Sequence, residues 1–118
     1  MNAIDLFAGA GGLSVALRDT GFDIVLANEI EHVYAEAHRL NFPEVPLVEK
    51  DISLITKEEL LSILEGKPVD LVVGGPPCQG FSIFGKRRFV NTKDYNRHKD
   101  PRNYLVYQYI RIVKELQP

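Results

Sequence analysis

Ala3 to Phe7 is a short apolar run broken by one acid, Asp5, and it opens into the glycine-rich stretch Ala8-Gly9-Ala10-Gly11-Gly12. Leu13, Ala16 and Leu17 follow at helical spacing up to Thr20-Gly21, so the pattern predicts a strand, a tight turn, a helix and a glycine stop. A second apolar run, Ile24 to Ala27, leads to Asn28-Glu29. Val33, Ala37 and Leu40 then mark one face of a second helix, which gives way around Asn41 and Pro43. Val48 to Asp51 is predicted as a short third strand, and Thr56-Lys57-Glu58-Glu59 has capping-box spacing ahead of Leu60, Leu61, Ile63 and Leu64. Asp70 to Val73 is a fourth strand, followed by a long segment rich in glycine, proline and basic residues. Asn103 to Leu116 is helical by its apolar positions Leu105, Tyr109, Ile112, Val113 and Leu116.

Strands alternating with helices predict an α/β fold with a parallel sheet and helices on both faces, because parallel neighbours need crossover connections and these are right-handed. A chain of 118 residues, 45% hydrophobic and 25% charged, reads as a single globular unit. The net charge of -2 hides an uneven distribution. Lys86, Arg87, Arg88, Lys93, Arg97, Lys99 and Arg102 fall in one stretch against Asp94 and Asp100. That stretch reads either as the footprint of a phosphate backbone or as a solvated basic loop. Cys78 is the sole cysteine, which excludes an intrachain disulfide and a multi-cysteine metal site and fits a reducing cytoplasm. The start, Met1-Asn2-Ala3-Ile4-Asp5, has no basic region leading into an apolar one, and no apolar run approaches the roughly 20 residues that span a bilayer. A cytoplasmic protein without membrane contact is expected. His32, His38 and His98 are too scattered for a metal site and read as surface positions, so no metal is expected.

In parallel sheets, ligands sit at the carboxyl ends of the strands, and the unusual residues gather there. Glycines directly after the first strand let the backbone turn sharply and approach a ligand, although the same residues make an ordinary tight turn. Gly9-Ala10-Gly11-Gly12 is not the Gly-x-Gly-x-x-Gly of dinucleotide enzymes. Glu29, at the end of the second strand, is positioned to accept hydrogen bonds from two ribose hydroxyls. Asp51 either receives a hydrogen bond from an adenine amino group or caps the turn before the third helix. Together these positions suggest an adenosine-containing ligand. Cys78 follows the fourth strand in Gly74-Gly75-Pro76-Pro77-Cys78-Gln79-Gly80-Phe81-Ser82, where open glycine and proline surroundings favour a nucleophile over a buried small hydrophobe.

These segments carry a resemblance. Asp5-Leu6-Phe7-Ala8-Gly9-Ala10-Gly11-Gly12-Leu13-Ser14, Asn28-Glu29, Lys50-Asp51-Ile52, Gly75-Pro76-Pro77-Cys78-Gln79-Gly80-Phe81-Ser82 and Asp100-Pro101-Arg102-Asn103-x-Leu105 resemble, in order, the first five motifs of the DNA (cytosine-5) methyltransferase family. The resemblance implies a Rossmann-like fold of the S-adenosylmethionine-dependent methyltransferases with strand order 3-2-1-4. It implies S-adenosyl-L-methionine as cofactor and S-adenosyl-L-homocysteine as product. Phe7 would lie against the adenine, Gly9 and Gly12 near the methionine part, Glu29 on the ribose and Asp51 with Ile52 at the adenine, with Gly11, Leu13 and Ile30 as further cofactor-binding residues. Pro77 and Leu105 would complete that pocket. The Cys78 thiolate would add to carbon 6 of a cytosine flipped out of duplex DNA, because the target carbon is inert in the ring and unreachable in the stack. Ser82 to Arg102 would be the loop that closes over DNA, with Gln79, Ser82, Lys86, Arg87, Arg88 and Arg97 as DNA contacts.

Family members continue with a strand bearing Glu-Asn-Val, an arginine-bearing strand, a target-recognition domain and a last cofactor-binding helix. The expectation is therefore that residues 1–118 form the amino-terminal portion of one catalytic domain, without the target-recognition domain and inactive alone. The unpaired fourth strand is expected to seek the remaining half, a second chain or another copy. The alternatives are an S-adenosylmethionine-binding module without chemistry and a nicotinamide-dependent oxidoreductase, which Pro76-Pro77-Cys78-Gln79 disfavours.

Overall fold

The computed structural model describes residues 1–76 and 101–118, apart from the side chains of 101–103. The elements run β1 (Asn2–Leu6), α1 (Gly12–Asp19), β2 (Asp23–Asn28), α2 (His32–Asn41), β3 (Leu47–Val48), α3 (Lys57–Leu64), β4 (Leu71–Gly74) and α4 (Pro101–Leu116). All strand pairs are parallel, and the four-stranded sheet has the order β3-β2-β1-β4 that the resemblance implies. Among the described residues β4 pairs with β1 alone. No helix among them is long and apolar enough to cross a membrane.

The central strand β1 is buried on both sides, which explains why its pattern is a nearly continuous apolar run. Ile4 and Leu6 point into a core with Leu60 and Leu64 of α3 and Ile112 of α4. Asp5 points to the opposite face, where its carboxylate meets Ser14 of α1. A second, smaller core of Ala8, Ala27, Phe42 and Val45 fills out that face. The last helix follows the predicted pattern: Ile112 is wholly buried, and Leu105, Tyr109 and Leu116 pack against the larger core. The Tyr109 hydroxyl also donates to Val72 O at 2.9 Å, tying α4 to β4.

Three details depart from the pattern. The third strand is shorter than Val48 to Asp51, because the Asn28 amide donates to Val48 O at 3.0 Å and Lys50 O at 2.9 Å and draws the chain off the ladder. On α2 the predicted face is reversed: Val33 and Leu40 are 77% and 83% exposed, while Ala35 and His38 are buried. Phe42, just past the helix end, is the anchor that sets this rotation, since it occupies the smaller core. The capping box before α3 is half formed. Thr56 Oγ1 accepts from the Glu59 N–H at 3.1 Å, but the Glu59 carboxylate pairs with Lys50 Nζ at 2.6 Å instead of returning to the cap.

Gly74 sits where β4 leaves the sheet, opposite Leu6. A Cβ there would stand 2.6 Å from Leu6 O and 3.1 Å from the Tyr109 ring, and the backbone oxygen has nowhere to move. Gly74→Ala is therefore expected to cost about 2 kcal/mol by overpacking, which lowers the midpoint of thermal unfolding by roughly 10 °C in a domain of this size. Gly75→Ala, whose Cβ meets nothing within 4 Å, is the control and should leave the midpoint unchanged in the same melting curves.

Candidate functional site

The carboxyl ends of the strands converge on a cavity of about 440 Å³, within the size range of small-molecule sites. Of the residues expected at the cofactor, Phe7, Glu29, Ile30, Asp51, Ile52 and Leu105 line it. Asn28, Glu31, Lys50 and Gly75 line it too and were not foreseen. Gly9, Gly11, Gly12 and Leu13 are not in its wall. Gly12 begins α1, and Leu13 on the same helix is 44% exposed. Gly11, at φ 113°, faces away from the cavity, where a Cβ would strike the Phe42 ring at 2.6 Å. Pro77, Cys78, Gln79, Ser82, Lys86, Arg87, Arg88 and Arg97 lie outside the described residues.

The wall is built by backbone geometry that few residues tolerate. Phe7 leaves β1 at φ 54°, a left-handed conformation that costs a side-chain-bearing residue roughly 1–2 kcal/mol. This turn brings the aromatic ring to the cavity while the Ala8 N–H still donates to Asn28 O at 2.9 Å, extending the β1–β2 pairing past the strand end. Gly9, at φ 59°, then donates its N–H to Glu29 Oε1 at 2.8 Å. The other oxygen, Oε2, accepts from the Glu31 N–H, also at 2.8 Å. Glu29 is thus a buried carboxylate held from both sides by main-chain donors, and each oxygen keeps a second lone pair for a ligand.

Asp51 plays the capping part of its two expected roles. Its Oδ1 accepts from the Ser53 N–H and the Ser53 hydroxyl, both at 2.9 Å, closing the 3-10 turn Ile52–Leu54. The same side chain lines the cavity, so capping orients it there. Its neighbour Lys50, in the same wall, is pinned by Glu59.

Beneath the glycine turn lies a group that sequence reasoning missed. The Ser14 hydroxyl is 2.7 Å from Asp5 Oδ2 and 2.9 Å from His38 Nε2, and all three residues are fully buried. His38 is therefore not a surface residue. It faces inward because α2 is rotated by Phe42, with which its ring is in contact at 4.9 Å between centroids. Burial holds the Asp5 carboxyl above its ordinary range, against the pull of the Ser14 hydrogen bond, and burial lowers His38. The signal for this group was Asp5 itself: an acid at the centre of a doubly covered strand requires a partner.

His32 lies with Glu36 and Glu49 on the outside of α2. Arg39 Nη1 sits between the two carboxylates at 2.7 and 2.6 Å, so the group is an ion-pair network with its cation already in place.

Comparison with known proteins agrees with this geometry. The family model described as C-5 cytosine-specific DNA methylase matches residues 1–118, and the chain belongs to that family. It is 44% identical over 117 residues to the Type II methyltransferase M.XorII of Xanthomonas oryzae pv. oryzae, covering 98% of this chain and 26% of that relative. To M.AquIA of Picosynechococcus sp. it is 39% identical, covering 98% of this chain and 44% of the relative. Among solved structures, a prophage-encoded Escherichia coli protein described as a DNA modification methyltransferase superposes with a TM-score of 0.80 at 39% identity, over 100% of this chain and 30% of the other. The S. pombe Dnmt2 methyltransferase superposes at 0.68 with 25% identity, over 100% of this chain and 33% of the other. The chain thus spans about a quarter to less than half of the length of the relatives it matches.

Proposed function

We propose that residues 1–118 are the amino-terminal portion of a catalytic domain that transfers a methyl group from S-adenosylmethionine to carbon 5 of cytosine in duplex DNA. The observation that carries this reading is the cavity itself: a fixed carboxylate, Glu29, beside the apolar surfaces of Phe7, Ile52 and Leu105, at the sheet edge that leads into Gly75-Pro76-Pro77-Cys78. The donor set fits the cofactor. Glu29 has free lone pairs for two ribose hydroxyls, and Phe7, Ile52 and Leu105 offer apolar contact for an adenine whose amino group Asp51 accepts. When bound, S-adenosylmethionine supplies an electrophilic methyl group on a sulfonium.

This chain supplies the nucleophile and part of the DNA contact. The Cys78 thiolate forms a bond to carbon 6 of the flipped cytosine, which makes carbon 5 nucleophilic toward the methyl group. A base, water or a group outside this chain, then takes the carbon-5 proton, and the electron pair left behind re-forms the carbon 5–carbon 6 double bond as the carbon–sulfur bond breaks and the thiolate leaves. Gln79, Ser82, Lys86, Arg87, Arg88 and Arg97 contact the DNA, largely through phosphates. The longer relatives support a further element of the reading: a segment or second chain supplies the remaining family motifs and pairs along the side of β4 that has no neighbour among the described residues.

Calorimetry separates this reading from an oxidoreductase. S-adenosylmethionine is expected to bind the protein more tightly than NAD, and the opposite ranking overturns the cofactor assignment.

A further inference from the structure

We propose that His38 is a positioning residue for the glycine turn, acting as an uncharged imidazole that donates its Nε2–H to Ser14 and so locks Gly9 onto Glu29. The proton assignment follows from counting hydrogens. Ser14 has one hydroxyl proton, and at 2.7 Å it is given to Asp5 Oδ2. With Asp5 ionised, the same oxygen, 2.9 Å from His38 Nε2, has only lone pairs left, which makes the imidazole nitrogen the donor. His38 Nδ1 is buried with no partner among the described residues, so a second proton on the ring would be an unpaired charged donor in the interior. The ring is therefore neutral, with Nδ1 bare.

The three residues come from three elements: Asp5 from β1, Ser14 from α1 and His38 from α2. Two residues beyond Asp5 the chain turns at Phe7, and three residues before Ser14 stands Gly11. Gly11 lies directly on the His38 and Phe42 rings, with a notional Cβ 3.3 Å from His38 Cδ2 and 2.6 Å from Phe42 Cε2. The turn is thus fastened at both ends and supported from below, which fixes where the Gly9 N–H points. Arg18, stacked 4.8 Å above the Phe42 ring, closes the assembly from α1. His38 does not line the cavity, and its hydrogen-bonded link toward the turn runs through Ser14 and Asp5.

Two substitutions in the whole protein separate donation from space filling. Glutamine carries an amide N–H at nearly the position of Nε2, whereas phenylalanine keeps the ring and loses the donor. Amide hydrogen exchange at Gly9 and Gly11 is expected to be unchanged in His38→Gln and about tenfold faster in His38→Phe, the effect of one lost buried hydrogen bond. Equal exchange in both variants, or protection kept by phenylalanine and lost by glutamine, overturns the proposal. The nitrogen-15 spectrum of the imidazole in the unmodified protein is a second test that needs no variant. It is expected to show a protonated Nε2 and a bare Nδ1 at neutral pH, and the opposite tautomer or a charged ring overturns the assignment. Resting on the cofactor reading, S-adenosylmethionine affinity should follow the exchange data. If the unmodified protein binds no S-adenosylmethionine, the cofactor reading fails while exchange and the spectrum still judge His38.

Discussion

A duplex carrying 5-fluorocytosine is expected to become covalently attached to Cys78 when the chain is combined with the carboxy-terminal remainder of one of its longer relatives, and the Cys78→Ser protein is expected to capture none. The reason lies in the order of bond changes. Addition of the thiolate to carbon 6 and methylation at carbon 5 precede removal of the carbon-5 substituent as a proton. Fluorine cannot leave that way, so the adduct persists and is seen as a mobility shift in denaturing gels. Serine fails because its hydroxyl is almost never ionised near neutrality, whereas a free thiol with a pKa of about 8.5 is already a few per cent thiolate. Loss of capture should therefore be complete within the sensitivity of the gel. Cofactor binding without capture would leave the chain as an S-adenosylmethionine-binding module with no chemistry of its own. Capture by the Cys78→Ser protein would move the nucleophile elsewhere.

The parts of the site that were legible in the sequence are those where one residue type alone satisfies the geometry. Gly9 and Gly11 adopt φ 59° and 113°, a region that glycine enters freely, so a glycine run after a strand announces a turn. Thr56 announces the start of α3 because few residues can accept from an N3 amide. The rule that ligands sit at strand carboxyl ends brings Glu29 and Asp51 to one place, and the family resemblance adds Ile52. What stayed hidden depended on partners distant in sequence. Phe7 enters the left-handed region although nothing about phenylalanine signals it. On α2, hydrophobicity ranked Val33 and Leu40 inward, but the contacts made by Phe42 and Ser14 turn Ala35 and His38 toward the sheet. Asn28 and Lys50 belong to the cavity wall as holders of backbone and of Glu59, roles that their spacing does not express.

Removing the Glu29 carboxylate is expected to weaken S-adenosylmethionine binding by about a hundredfold or more. A hydrogen bond to a charged group contributes roughly 1.5–3 kcal/mol. Two ribose hydroxyls deprived of their acceptor would therefore lose about 3 kcal/mol, and each 1.4 kcal/mol is tenfold in affinity. Glu29→Ala also strips the Gly9 and Glu31 amides of the acceptors they reach at 2.8 Å, so the turn loses the contact that aims it. Both bonds are only part-buried, so the freed donors can turn to water, which limits the cost in folding stability to about 1 kcal/mol. Affinity and stability should thus separate. Glu29→Gln keeps the shape but must aim its amide nitrogen at one of the two backbone donors, so it should fall between alanine and the unmodified protein. The choice of control decides whether bonding or mere charge is being measured. Glu31 lines the same cavity, and its side chain makes none of the Glu29 contacts. If negative charge near the sulfonium were the cause, Glu31→Ala would weaken binding as much as Glu29→Ala. With specific acceptance by Glu29, titration calorimetry should find Glu31→Ala within about threefold of the unmodified protein, less than the tenfold of 1.4 kcal/mol. A Glu29→Ala protein that binds equally well removes the cavity from consideration as the cofactor site.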